Sequence, residues 1–136
     1  MVRALAVRRT GYIHDVEIDG EHTVVFDEPE AAGGANQGPS PTRMLAASLA
    51  ACTAITVEMY AGRKEWEIGE LDVEVEMGYD DRGVPSEFVV TLRLEGGLSE
   101  EQLERLRVIA GKCPVHRALA HEANVSITDR IAPRTA

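Results

Sequence analysis

Apolar and polar residues alternate through the first thirty positions of this chain. In "RALAVRRTGYIHDVEIDGEHTVVFDEPE" the pattern has a period of two, and Thr10-Gly11 and Asp19-Gly20 break it into three short runs. Such a segment predicts an antiparallel three-stranded meander, with Val16, Ile18, Val24 and Phe26 facing inward. Alternation returns in "ELDVEVEMGYD" and "EFVVTLRLEG", where Leu71, Val73, Val75 and Met77, then Phe88, Val90, Leu92 and Leu94, share one side. The joining "DDRGVPS" is a turn, so this pair reads as a hairpin with one wet face. "NVSITDRI", residues 124–131, repeats the pattern and predicts a closing strand.

Between the meander and the hairpin the period changes. "AAGGANQGPSP" carries three glycines and two prolines and predicts a loop without regular structure. Ser40 and Pro41 then suit an N-cap and a first helical position. The helix they open is expected to run to about Gly62, roughly 33 Å at 1.5 Å per residue. It is apolar on nearly every face, which predicts burial all round, behind a sheet or between two subunits. In "LSEEQLERLRVIAGK", Ser99 and Gln102 form a capping box and Leu98 can staple onto Leu103. Leu103, Leu106, Ile109 and Ala110 are the expected buried stripe, and Gly111 the stop. A short helix follows in "CPVHRALAHEA", with Cys113 at its N-cap and Pro114 in its first turn.

The sum is an α+β fold, a mostly antiparallel sheet over a long central helix, in one domain spanning 1–136. Length changes little here, since 136 residues suffice for one core. Aromatic residues are 4% of the chain, so Val, Leu, Ile, Ala and Met must build that core. The net charge of −9 repels phosphate backbones and anionic lipid, and sets nucleic-acid and membrane-surface partners aside. The uncharged run Met44 to Val57 is 14 residues, against roughly 20 for a bilayer span. "MVRALAVRRT" has no apolar signal core. These features lead to the expectation of a cytoplasmic protein.

Two cysteines do not make a secreted disulfide scaffold, and packing, metal binding and redox chemistry all stay open for them. Cys113 precedes a helix, whose free N–H groups favour a thiolate, with His116 and Arg117 on the next turn. Cys52 lies in mid-helix, where the backbone N–H groups are already used, so any activating cation must come from elsewhere in the fold. "CPVH" supplies one half of a zinc site and no second close-spaced pair completes it. Glu58 and Arg63 read as a solvated ion pair, and Trp66 as a core or interface plug.

"DEPEAAGGANQGPSPTRMLAASLAACTAITVEMYAGRKEW" resembles the central segment of the OsmC/Ohr family, with its Gly-rich loop, Pro-initiated helix and "AAC" cysteine. "GKCPVHRAL" resembles the family's second cysteine motif, and "VSITDRI" its last strand. The resemblance covers essentially the whole chain. It implies an intertwined homodimer and thiol-dependent reduction of organic hydroperoxides or hydrogen peroxide, with no cofactor and no metal. It implies Cys52 as the peroxidatic cysteine, Cys113 as the resolving one, a disulfide between them, and a dithiol reductant such as a lipoyl group. The alternative within the family is a dimer that binds a small ligand or senses redox state without catalysis. One position departs from the pattern. Where peroxidase branches place a Glu ten residues before the reactive cysteine, this chain has Thr42. Arg8, Arg9, Arg43 and Arg117 are the guanidinium candidates that remain.

Overall fold

The computed structural model describes residues 1–134. Strands β1 (Ala4–Thr10), β2 (Ile13–Ile18) and β3 (His22–Phe26) are followed by helix α1 (Pro41–Lys64). The hairpin β4 (Leu71–Tyr79) and β5 (Pro85–Leu94) leads to helices α2 (Glu100–Ala110) and α3 (Pro114–Leu119). The order matches the sequence pattern up to α3, and the class is α+β. The strands form two sheets rather than one: β1-β2-β3 and β4-β5.

Two compact units divide the chain, the cut falling within α1, β4 and β5. The first comprises residues 1–50 and 74–91. Here β1 and β3 flank β2 in antiparallel register, with Val16 opposite Ala6 and Val24. Asp19 and Gly20 both take positive φ, 51° and 71°, within the three-residue link between Ile18 and His22, a left-handed backbone that an Asp-Gly pair tolerates. The Gly-rich loop contains one 3₁₀ turn, Glu30–Ala32, and so is not wholly irregular. Asp27 organises it from a site only 2% exposed. Its carboxylate accepts backbone N–H groups of Glu28 at 2.7 Å, Ala35 at 3.1 Å and Gln37 at 3.0 Å. Gly38 passes so close to Val25 that an added Cβ would lie 2.3 Å from its carbonyl oxygen.

The second unit comprises residues 51–73 and 92–136. Val57 of α1 and Leu106 and Ala110 of α2 form its core, and Tyr60, Trp66, Ile68, Leu71, Leu92, Leu94 and Leu98 pack around them. The capping box of Ser99 and Gln102 is present in both directions, at 2.9 and 3.1 Å. Leu103 turns outward at 41% exposure, so the buried stripe of α2 is Leu106, Ile109 and Ala110 without it.

Three expectations change with the coordinates. Helix α1 runs 24 residues, ended by Glu65 at φ 57°, and is long and apolar enough to cross a membrane by length and composition alone. The shorter uncharged run within it understates its span. Its burial is one-sided in this chain: Leu49, Thr53, Val57 and Ala61 are covered, while Ile55 and Met59 are 54% and 61% exposed. The closing strand does not form. Residues 124–134 have no regular structure, and Val125 and Ile127 stand 62% and 83% exposed.

A candidate thiol site at helix α3

Both cysteines belong to the second unit, and both carry free thiols. Cys52 is half-buried at the middle of α1. Cys113 is fully buried and caps α3, its Sγ accepting the His116 N–H at 3.4 Å. Pro114, at the first helical position, gives up an N–H that would have had no helical partner. Cys52 is near enough to Cys113 to raise its pKa.

The electrostatics of Cys113 correct the sequence reading. Burial, first, and then the neighbouring Cys52 push its thiol above the ordinary value. The N–H groups of His116 and Val115 pull the other way, with less effect. A helix terminus favours a thiolate only where desolvation does not cost more. Cys113 is therefore a protonated thiol at neutral pH.

The other named residues fall as follows. Arg8 Nε donates to the Gly11 carbonyl at 2.9 Å, and Arg9 pairs with Asp15 at 2.8 Å, so both are engaged within their own hairpin. Thr42 shares a hydrogen bond of 3.0 Å with the Tyr79 hydroxyl. Arg43 and Arg117 are exposed. Glu58 and Arg63 are exposed and form no ion pair, since five residues on a helix separate them by more than a turn. Trp66 packs edge-on against Tyr60 at 5.6 Å, in keeping with a core role.

Two buried polar groups near the cysteines lack a hydrogen-bond partner, and sequence reasoning named only one of them. Thr53, next to Cys52 and 1% exposed, has a hydroxyl with no hydrogen-bond partner. His116 Nδ1 is buried without one, the Glu122 carboxylate lying 4.0 Å away. The Cys-x-x-His spacing signalled the second, and nothing in the sequence signalled the first. Among the described residues no group of three or more His, Cys, Asp or Glu could hold a metal ion.

An α+β protein with two reduced cysteines near each other, one on a long apolar helix and one capping a short helix, is the class these observations define. The chain belongs to the OsmC-like protein family, whose sequence model matches residues 34–128. Comparison with curated proteins finds no match. The OsmC-like protein of Mycoplasma pneumoniae is 20% identical with a TM-score of 0.76, over 88% of this chain and 87% of that one. The organic hydroperoxide resistance protein OhrB of Bacillus subtilis is 28% identical with a TM-score of 0.55, over 85% and 89%. The organic hydroperoxide resistance protein OsmC of Legionella pneumophila is 22% identical with a TM-score of 0.57, over 86% and 88%.

Proposed function

We propose that this protein is a thiol-dependent peroxidase of organic hydroperoxides, working as a cytoplasmic homodimer. The observation that carries the reading is that the free thiols of Cys52 and Cys113 lie near enough for one to perturb the other. Their unequal surroundings support a division of roles. Half-buried Cys52 is the thiol a peroxide can approach, and sealed Cys113, held protonated, is the thiol that waits.

In the first step the Cys52 thiolate attacks the terminal oxygen of ROOH. The O–O bond breaks, the alkoxide takes a proton and leaves as ROH, and Cys52 becomes a sulfenic acid. Cys113 then attacks that sulfur, forming the disulfide and releasing water. An external dithiol, a lipoyl group being one example, exchanges with the disulfide and restores both thiols. Two electrons pass from the dithiol to the peroxide in each turn. The family relation and the relatives named as hydroperoxide resistance proteins support this substrate class.

The test is consumption of cumene hydroperoxide with dithiothreitol as reductant. Cys52→Ser is expected to abolish turnover. Cys113→Ser is expected to permit one round of oxidation per site and then to stall or overoxidise. Wild-type turnover in the Cys52→Ser protein would remove the proposal.

A further inference from the structure

The end of α1 builds a second site that the thiol chemistry does not use. Tyr60, Lys64 and Trp66 line an open cavity of about 630 Å³ with Arg105 and Val108 of α2. That is the size of a small-molecule pocket. Tyr60 follows Cys52 by eight residues, about 12 Å along the helix axis, so the site is separate from the thiols.

Its charge arrangement is unusual for so acidic a chain. The Tyr60 ring is flanked by two cations, Lys64 Nζ at 5.7 Å and the Arg105 guanidinium carbon at 5.6 Å from its centroid. Trp66 meets the same ring edge-on. Glu101 stands four residues before Arg105, the favourable arrangement for a helical ion pair. Arg105 nevertheless turns to Tyr60, its Nε donating to the phenol oxygen at 3.0 Å. Glu104 is occupied by Arg107, which grips it at 2.6 and 2.9 Å. Among the described residues neither Lys64 nor Arg105 forms an ion pair, although the chain has 23 acidic side chains to 14 basic ones. The positive field is felt by Tyr60, whose hydroxyl is held below the ordinary phenol value, first by the Arg105 hydrogen bond and further by the charges of Arg105, Lys64 and Lys112.

We propose that this cavity binds a small carboxylate with an apolar body. The carboxylate takes the place of the missing counter-ion between Arg105 and Lys64, and the apolar body lies against Trp66 and Val108. Glu101 on the same wall opposes a second negative charge, so the fit is a monoanion rather than a phosphate ester. The inference stands apart from the peroxidase reading.

Trp66 is the only tryptophan, so its emission reports this site alone. The full chain is titrated with octanoate and with octanamide, its neutral counterpart. Wild type, Arg105→Gln, Lys64→Gln and Cys52→Ser are compared, with circular dichroism confirming the fold of each. Octanoate is expected to shift the emission saturably, and Cys52→Ser to bind as wild type does. Octanamide, and octanoate with either cation variant, should bind at least about tenfold more weakly, the value of one charge-assisted hydrogen bond. No saturable response to octanoate, equal binding of octanamide, wild-type affinity in either cation variant, or loss of binding in Cys52→Ser would overturn the proposal.

Discussion

Asp27 has two carboxylate oxygens, and three backbone N–H groups of the residues that follow β3 converge on them. The N–H of Gln37, first, outweighs burial and holds its pKa below the ordinary carboxylate value, with Glu28 and Ala35 acting in the same sense. A lowered folded pKa stabilises above the unfolded value and is lost as pH falls through the folded one. Wild type should therefore lose part of its stability below about pH 4. Asp27→Ala should lower Tm by an amount on the order of 5 °C at pH 7 and lose less on acidification, as read by calorimetry at both pH values. Cys113 gives a second expectation at this scale. Its raised pKa keeps the proton on as pH climbs past the ordinary thiol range, near 8.5. Iodoacetamide at pH 8 should label Cys52 well before Cys113, and Cys113 should gain reactivity only at higher pH. Mass mapping of the labelled peptides checks this, and equal labelling at pH 8 would contradict the burial argument. The roles proposed for the two cysteines were legible only as what the resemblance implies. That burial raises the Cys113 thiol was not legible, because desolvation depends on side chains distant in sequence.

At the scale of elements, legibility followed where the hydrogen bonds close. A helix satisfies its backbone internally, so its signals are local. The Ser40 hydroxyl accepts the Arg43 N–H at 3.3 Å, and the reciprocal box at Ser99 is complete. Ser99→Ala should cost about 1 kcal/mol in a denaturant titration, whereas Leu103→Ala, at an outward position, should cost much less. A hairpin is nearly as local: Asp80 Oδ1 takes the N–H groups of Arg82 and Val84 and fixes the β4–β5 turn. The segment 124–131 is the contrary case. It alternates at Val125, Ile127 and Ile131, broken only by Asp129, yet a strand exists only where a neighbour supplies the other half of the ladder. No strand within the described chain pairs with it. Periodicity reports which face wants burial and is silent about the partner.

Apolar side chains with nothing over them occur in both compact units. Leu5 and Val7 on β1 are 60% and 45% exposed in the first, and Ile55 and Met59 on α1 are 54% and 61% exposed in the second. Ile127 and Ile131, at 83% and 103%, extend the set into the final segment. Single exposed apolar residues need no explanation, but two large ones a turn apart on a 24-residue helix, with others in both units, invite one. Burying an Ile and a Met side chain contributes about 1.5–3 kcal/mol each, enough in aggregate to offset the entropy of joining two chains when several such groups are covered together. The proposed homodimer would cover them, and would offer residues 124–131 the strand neighbour they lack. Light scattering should then give about twice the 14.8 kDa chain mass. The double change Ile55→Glu and Met59→Glu should shift that mass toward a single chain, because it places charge on the face to be buried. Far-UV circular dichroism of the variant should change little, since neither side chain enters the Val57–Leu106–Ala110 core. A wild-type mass of one chain across the micromolar range would refute the dimer, and with it the account of why α1 is so apolar on the side its own core leaves bare.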